Sequence, residues 1–173
     1  MQRRTLLAGL LALPTLPMAS RLSLADTSAH EVGMRFTPLD LPHSYWKDKV
    51  SSEAYKVLFE EATERPGSSP LDAVYEPGTY VCAACYLPLF NSDDKFDSGT
   101  GWPSFTRPIE GHMGTRQDYK LIWPRTEYHC ARCGGHQGHV FNDGPEPTGQ
   151  RWCNNGVALR FVPADQSLPE LRS

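Results

Sequence analysis

The sequence predicts a mainly β fold with a small helical contribution. Proline and glycine are frequent, at 15 and 14 residues, and long stretches of helical periodicity are scarce. From Leu71 onward, short segments rich in β-branched and aromatic residues alternate with turn-forming residues, which is the pattern of short strands. With 173 residues, of which 39% are hydrophobic, the chain can bury the core of one ordinary domain.

Charge and composition exclude two classes of protein. The net charge of −3 gives no basic surface of the kind that holds nucleic acid, so no nucleic-acid partner is expected. The hydrophobic content is too high, and the net charge too small, for an intrinsically disordered chain.

The first 25 residues have the order of a secretory signal peptide. Arg3 and Arg4 precede an apolar stretch at 6–13, and Ser23 and Ala25 supply the small residues of a cleavage site. The apolar stretch is too short to span a bilayer, so no stable membrane anchor is expected. The adjacent arginines favour the twin-arginine route and export to a bacterial periplasm. A buried N-terminal helix is the alternative interpretation.

Four regions follow from this order along the chain. Residues 1–25 are the predicted signal peptide, and residues 26–39 are polar and predicted to be a flexible leader. Residues 40–163 form the predicted domain, and residues 164–173 a C-terminal tail.

One helix is predicted near the start of the domain. Ser51 or Ser52 can cap its N-terminus, and the apolar residues that follow fall on one helical face. These are Tyr55, Leu58, Phe59 and Ala62. Pro66 and Gly67 are predicted to end the helix.

Strands are predicted in three later segments. Residues 79–81 and 121–123 are β-branched and aromatic, and residues 157–162 are predicted to be a closing strand. Residues 145–149 carry two prolines and a glycine, and are predicted to form a turn before it.

Four of the five cysteines form two Cys-x-x-Cys pairs, Cys82 with Cys85 and Cys130 with Cys133. Each pair has the spacing that directs two thiolates to one metal ion, and two pairs complete a tetrahedral site. Such a closed site has no open position for a substrate, so we expect one structural Zn²⁺ per chain. Two disulfides are the alternative in an exported protein.

Cys153 is the unpaired cysteine, and its polar neighbours make a purely structural role less favoured. A reactive thiol needs a partner that stabilises the thiolate, usually histidine or another cation. His136 and His139 lie in a glycine-rich segment and are the candidate partners.

These segments together resemble the methionine sulfoxide reductase B family. The resemblance is carried by the two cysteine pairs and by four further motifs, Thr-Glu-Arg-Pro at 63–66, Gly-Trp-Pro-Ser-Phe at 101–105, Gly-His-Val-Phe-Asn-Asp-Gly-Pro at 138–145 and Arg-Trp-Cys-Asn-Asn at 151–155. It extends from about residue 41 to residue 161, in the order typical of the family.

The resemblance implies two antiparallel sheets with a few peripheral helices, and reduction of the R epimer of methionine sulfoxide to methionine. It implies that Cys153 is the nucleophile and that His139 protonates the sulfoxide oxygen, with His136 beside it. It further implies that Asn155 orients the histidine and that Trp102 packs against the methyl group of the substrate.

The chain departs from the family pattern at several positions. Thr100 stands where many members carry a second, resolving cysteine, so the count leaves no internal thiol to reduce a sulfenic acid at Cys153. The implied partners are therefore oxidised methionine residues in proteins and an external thiol reductant, thioredoxin-like or other. Gln137 stands where leucine is usual, and is expected to alter only local packing or substrate fit.

Two other function classes remain to be compared with the reductase. A zinc-knuckle binding module would need a basic or aromatic recognition surface and no fifth cysteine. A dithiol–disulfide oxidoreductase would place one Cys-x-x-Cys pair at the start of a helix in a thioredoxin-like pattern. The acidic charge, Cys153 and the missing βα pattern favour the reductase over both.

Overall fold

The computed structural model of the chain describes residues 36–120 and 123–173. The predicted signal peptide and most of the predicted leader lie outside these residues. No helix in the described part of the chain combines the length and the apolar character that a membrane crossing requires.

The described residues form two antiparallel sheets, as the resemblance implies. Their strands are β1 (Gly78–Cys82), β2 (Pro88–Asn91), β3 (Lys95–Phe96), β4 (Ser104–Phe105), β5 (Met113–Asp118), β6 (Arg125–Cys130), β7 (His136–Phe141), β8 (Arg151–Asn154) and β9 (Leu159–Pro163). The smaller sheet has the order β2-β1-β9, and the larger has the order β3-β4-β8-β7-β6-β5. Because β8 and β7 are central in the larger sheet, the residues that they carry are held by strands on both sides.

One α-helix, α1 (Ser52–Glu60), lies near the start of the domain. The Ser51 hydroxyl accepts a hydrogen bond from the Ala54 N–H at 3.1 Å, which confirms the predicted N-terminal cap. The helix ends earlier than predicted, because Glu61 adopts a left-handed conformation with φ of 54°. Residues 62–66 therefore leave the helix and run toward the larger sheet.

Aromatic side chains dominate the core. The Phe90 and Phe105 rings are stacked with centroids 4.0 Å apart, and Tyr80 meets Phe105 edge-on at 5.0 Å. Trp46 and Phe59 stack at the α1 side of this core. Burial of rings from both sheets contributes apolar contact that holds the sheets together.

The predicted strands are confirmed in part. Residues 79–81 lie in β1, and the turn at 145–149 is present, although it precedes β8 rather than the closing strand. The predicted strand at 157–162 begins only at Leu159, since Gly156–Ala158 form a 3-10 helix. The reason is that the Glu64 carboxylate accepts hydrogen bonds from the Gly156 and Val157 N–H groups, which then cannot join a strand ladder.

The predicted strand at 121–123 is wrong at Trp123, which lies in a bend and is 80% exposed. Leu121 and Ile122 lie outside the described residues. Hydrophobic, β-branched composition predicted a strand here, whereas Trp123 lies outside both β5 and β6, which pair with each other as antiparallel strands.

The C-terminal tail has no helix or strand, but Arg172 attaches it to the domain. Its N–H donates to the Cys85 carbonyl at 3.0 Å, and its guanidinium lies 4.0 Å from the centroid of the Tyr86 ring. The tail is thus held against the first cysteine pair.

Candidate active site and metal site

The four paired cysteines meet between the two sheets. Their Sγ atoms all lie within 4.8 Å of one another, and all four residues are buried. The Sγ atoms of Cys82 and Cys133 are 3.7 Å apart, and those of Cys85 and Cys130 are 3.5 Å apart. The chain thus brings together two knuckles that are far apart in sequence.

These distances fit a tetrahedral metal site. A Zn–S distance of about 2.3 Å gives tetrahedron edges of roughly 3.8 Å, close to the separations observed. A disulfide needs an S–S distance of about 2.05 Å, and all five cysteines are free in this structure. The four cysteines could therefore hold one metal ion, and a closed set of four thiolates leaves no position for substrate.

The two knuckles turn in the same way. In each, the N–H of the residue directly after the second cysteine donates to the carbonyl of the first cysteine: Tyr86 to Cys82 at 3.0 Å and Gly134 to Cys130 at 2.9 Å. Both Tyr86 and Gly134 have positive φ, at 63° and 72°. The tight turn brings the two thiols of each pair to one point.

Cys153 lies apart from this cluster, on the central strand β8. It is directly opposite His139 of β7 in the antiparallel register, and opposite Ser104 of β4 on the other side. Since residues directly opposite in a sheet project from the same face, Cys153 and His139 face one pocket. A side chain at Gly138 would collide with the Cys153 carbonyl, its Cβ falling 1.9 Å from that oxygen, so glycine permits this close strand approach.

The pocket in front of Cys153 has a volume of about 120 Å³. Its lining combines a thiol, an imidazole and two aromatic rings with amide and hydroxyl groups; the residues are Thr63, Trp102, Arg125, Gly138, His139, Phe141, Cys153, Asn154 and Asn155. The Trp102 indole is oriented by a hydrogen bond from its Nε1–H to the Glu64 carbonyl at 3.3 Å. The pocket is small and partly apolar, so it suits a short group with one polar atom.

A larger cavity of about 320 Å³ adjoins this pocket and shares Thr63, Arg125 and His139 with it. Its walls are charged, with Glu61, Arg116 and Lys120 in one ion-pair cluster. His136 lines this second cavity and is not among the residues that line the pocket of Cys153.

Two carboxylates hold the two histidines. His139 Nε2 is 2.8 Å from Asp118 Oδ2, and Asp118 also accepts from Arg125 at 2.7 Å. His136 Nδ1 is 2.7 Å from Glu127 Oε1, and Glu127 also pairs with Arg116. The two imidazole rings meet edge-on with centroids 5.4 Å apart. Sequence reasoning missed Asp118 and Glu127, because neither lies in a motif and only the β5–β6–β7 register brings them to the histidines.

Burial opposes charge on both proposed reacting groups. It raises the pKa of the Cys153 thiol, against the attraction of Arg151 and hydrogen bonds from Thr100 and Arg151. It also lowers the pKa of His139, although the hydrogen bond to Asp118 acts in the opposite direction. In the free protein the thiol therefore holds its proton and the imidazole is neutral at neutral pH.

The carboxylates beside the histidines are charged. The Lys120 N–H, with hydrogen bonds from His139 and Arg125, holds the pKa of Asp118 well below its usual range. Burial of Glu127 opposes its ionisation, but hydrogen bonds from His136 and Arg116 outweigh this and lower its pKa. Each histidine thus has a negatively charged hydrogen-bond partner, and at His139 the hydrogen bond to Asp118 favours the protonated form.

Asn155 is placed beside the pocket by backbone contacts. Its Oδ1 accepts from the Glu64 N–H at 3.0 Å and its Nδ2 donates to the Gln137 carbonyl at 2.9 Å. Its amide is thus engaged with main-chain groups, and its orienting effect on His139 stays a prediction.

Arg151 and Asp143 support β8 from the other end. The guanidinium makes two hydrogen bonds of 2.9 Å to the Asp143 carboxylate and lies over the Phe141 ring at 4.3 Å. This bidentate pair fixes a positive charge near Cys153.

Comparison with known proteins decides the family. A family model described as the SelR domain matches residues 50–163, which is most of the chain and includes all five cysteines. The chain belongs to the methionine sulfoxide reductase B family. Membership agrees with the two sheets and with the metal-binding geometry of the paired cysteines.

Relatives carry the same name in distant organisms. The chain is 52% identical over 119 residues to "Peptide methionine sulfoxide reductase MsrB" of Bradyrhizobium diazoefficiens, which covers 68% of this chain and 86% of that protein. It is 49% identical over 126 residues to the protein of that name from Methanosarcina mazei, covering 72% of this chain and 90% of that protein. The Leptospira interrogans protein of that name is 47% identical over 117 residues, covering 67% and 89%.

Proposed function

We propose that the protein reduces the R epimer of methionine sulfoxide, in proteins and as the free amino acid, to methionine. The observation that carries the proposal is the placement of Cys153 directly opposite His139 at a pocket that Trp102 also lines. This arrangement supplies a nucleophile, a proton carrier and an apolar face at one point. Family membership and the MsrB-named relatives support the same reaction.

The reaction needs one proton moved from sulfur to oxygen. The proton leaves the Cys153 thiol, and His139 delivers a proton to the sulfoxide oxygen as the thiolate attacks the sulfoxide sulfur. This attack joins the Cys153 sulfur to the sulfoxide sulfur, which now carries a hydroxyl group. Transfer of that hydroxyl to the Cys153 sulfur breaks the S–O and the S–S bonds, so Cys153 becomes a sulfenic acid and methionine is released. Methionine sulfur is reduced by two electrons and Cys153 sulfur is oxidised by two.

The reactive form is the pair in which Cys153 is a thiolate and His139 an imidazolium. The two groups share one proton, which lies on Cys153 in the major form and on His139 in this reactive, minor form. The neutral form predominates because burial disfavours the charge on both groups. Asp118 favours the imidazolium, and Arg151 favours the thiolate. Trp102 supplies an apolar surface for the methyl group, which orients the sulfoxide oxygen toward His139.

Recycling of the sulfenic acid requires an external thiol. The four other cysteines are together in the four-cysteine cluster, away from Cys153. Thr100, which is close to Cys153, carries a hydroxyl in place of a thiol, and this hydroxyl lies 2.8 Å from that of Ser98. Two thiols of the reductant would convert the sulfenic acid to a thiol, giving water and a disulfide. A thioredoxin-like protein or another dithiol fits this step.

For the four-cysteine cluster we propose a structural zinc ion. The ligands would be the four paired cysteines, Cys82, Cys85, Cys130 and Cys133. The ion would hold the ends of β1 and β6 together without taking part in turnover. A closed thiolate set and separations near a tetrahedron edge support zinc.

We also propose export to the periplasm through the twin-arginine route. The support is the order of charge, apolar stretch and small residues in the first 25 residues. Fractionation of cells expressing the full chain should recover a shortened protein in the periplasm, and Arg3→Lys with Arg4→Lys should retain the precursor inside the cell.

A turnover assay with separate sulfoxide epimers tests the reaction. With dithiothreitol as reductant, the R epimer of N-acetylmethionine sulfoxide should be reduced and the S epimer should not. Reduction of the S epimer alone, or of neither, would refute the proposed function.

The redox state of Cys153 tests the missing resolving thiol. After one turnover without reductant, the intact protein should gain one oxygen in mass, and dimedone should label Cys153 alone. A loss of two hydrogens, with a bond from Cys153 to a cluster cysteine, would show instead that the metal site resolves the sulfenic acid.

A further inference from the structure

The buried side chain of Gln137 connects the four-cysteine cluster to the strand that carries Cys153. Gln137 lies on β7 and is fully buried. Its Nε2 donates to Cys82 Sγ at 3.6 Å, and its Oε1 accepts from Asn154 Nδ2 at 3.3 Å. Because Asn154 directly follows Cys153, one carboxamide bridges a proposed metal ligand and the neighbour of the proposed nucleophile.

The chemistry of the partners determines the orientation of both amides. A metal-binding thiolate only accepts hydrogen bonds, so it must face the Gln137 Nε2 group. Asn154 Nδ2 also donates to the Asn155 carbonyl at 2.8 Å, which again only accepts. The remaining Asn154 oxygen then faces the Tyr128 hydroxyl at 2.8 Å. No alternative flip satisfies this set of partners.

The main chain of Gln137 strengthens the same connection. Its carbonyl accepts from the Asn155 backbone N–H and from Asn155 Nδ2, both at 2.9 Å. Gln137 therefore holds both residues that follow Cys153, with its side chain on Asn154 and its backbone on Asn155. Asn155 in turn lines the pocket and receives the Glu64 N–H.

An apolar residue of similar size would fill the space but not make these contacts. It would leave a buried amide at Asn154 and a sulfur at Cys82 each without one partner, which costs free energy. Groups that hydrogen-bond to metal ligands also orient those ligands and tune the charge on the donor atom. Gln137 therefore makes two polar contacts that the leucine usual at this position could not make.

We propose that Gln137 is a positioning residue that couples the geometry of the four-cysteine cluster to the placement of Cys153. A change in the metal–sulfur distances moves Cys82 Sγ, and the carboxamide transmits the displacement to Asn154 and Asn155. The proposal rests on the proposed role of Cys153, but it can be measured without turnover.

The test compares wild type with Gln137→Leu in two metal forms. Each protein is prepared with zinc and with cadmium, whose bonds to sulfur are longer, and iodoacetamide alkylation of Cys153 is timed by peptide mass analysis. In wild type the two metal forms should differ in alkylation rate by roughly two- to tenfold, as expected for residues coupled through one hydrogen-bond network. In Gln137→Leu the two metal forms should react at the same rate.

Cobalt-substituted protein supplies a second readout that does not involve Cys153. Removal of the N–H···S bond should shift the sulfur-to-cobalt charge-transfer band of Gln137→Leu relative to wild type. In the zinc enzyme, the same substitution should lower kcat by roughly two- to tenfold with little change in KM, since the pocket lining is intact.

Val57→Ala is the matched control, because Val57 is a buried α1 residue whose side chain makes no polar contact. It should lose stability yet keep the difference between metal forms. If leucine prevents folding, Gln137→Met keeps the straight chain and removes the same donor.

The proposal is overturned by equal alkylation of the two wild-type metal forms, by an unshifted cobalt band in Gln137→Leu, or by an undiminished metal effect in that variant. Equal loss of the metal effect in Val57→Ala overturns it as well. If wild type shows no turnover at all, the proposed function fails, whereas the alkylation and cobalt measurements still decide this inference.

Discussion

The two cysteine sites of this protein contain the same functional group in opposite surroundings. In the cluster, Cys82, Cys85 and Cys130 have no exposed surface, and each sulfur faces other sulfurs. Cys153 is partly exposed and faces a pocket that it shares with His139. The comparison teaches that access and neighbours decide what a thiol does: a closed set of thiols suits a metal ion, and an open one suits a substrate.

The sites also differ in how the chain builds them. Each half of the cluster is local, since one Cys-x-x-Cys turn places two sulfurs, and only the meeting of the halves is tertiary. Cys153 has Arg151 as a neighbour on its own strand, but His139 comes from β7 and Trp102 from the segment before β4. Asp118 of β5 acts on the site through His139. The active site therefore depends on strand register throughout.

The largest effect is expected from a substitution in the four-cysteine cluster, which should change stability, whereas a substitution at Cys153 should change only turnover. Cys82→Ser should lose the metal and unfold the domain, because structural zinc contributes roughly 10–16 kcal/mol of apparent binding energy, comparable to the whole stability of a domain. Metal content and a thermal unfolding curve measure this. Cys153→Ser is the control, which should abolish turnover while metal content and Tm are kept. A Cys82→Ser protein that loses zinc but keeps its Tm would contradict the structural role.

His139→Ala acts on the open site alone. We expect kcat to fall on the order of 10²-fold or more, the usual size of general acid catalysis, with KM little changed. Steady-state kinetics with the R epimer measure both constants. His43→Ala, which changes an exposed histidine of a 3-10 helix, is the control and should behave as wild type. A rise in KM alone would make His139 a binding residue.

Trp102→Ala tests the apolar face of the pocket. Loss of the contact with the methyl group should weaken transition-state binding by roughly 1–3 kcal/mol, the range of apolar specificity contacts, and lower kcat/KM by about 10- to 200-fold. Trp102→Phe, which keeps an aromatic face, should recover part of the activity. Unchanged kinetics in Trp102→Ala would show that the indole serves packing only.

The smallest effect is expected at Asp118, which acts through His139. Asp118→Asn removes a negative charge that raises the pKa of His139, so that pKa falls below its wild-type value. Each unit of decrease makes the thiolate–imidazolium form about tenfold rarer, which lowers kcat/KM on the plateau.

The sign of the pH effect follows from the shared proton. Below the pKa of His139 both groups are protonated and the thiol is no nucleophile, so activity is lost at low pH. In Asp118→Asn this acid limb should move to lower pH, because the carboxylate that raises the pKa of His139 is lost. Burial, Arg125 and His136 still lower that pKa, and Glu127, opposite His139 on β6, is unchanged. A kcat/KM profile against pH measures the shift. A limb that stays in place would exclude Asp118 as a positioning residue.

Local signals predicted local structure well, and distant partners poorly. Ser51 caps α1 as its side chain predicted, and the 79–81 segment is a strand. The end of α1 was missed because Pro66 and Gly67 were the visible breakers, while Glu61 stops the helix by adopting positive φ. The start of β9 was missed because the Glu64 carboxylate, 92 residues away from Gly156, bonds the N–H groups there.

The sequence by itself singled out the residues that we propose for the chemistry: two cysteine pairs, one unpaired cysteine, two glycine-flanked histidines and one tryptophan in a distinctive motif. Only the tertiary structure decided which of them meet and through what. It placed His139 opposite Cys153 and His136 in a neighbouring cavity, added Asp118 and Glu127, and put Gln137 between the two cysteine sites. The reason is that a side chain's neighbours across a sheet depend on the register of strands far apart in sequence, where one residue of slip reverses every face.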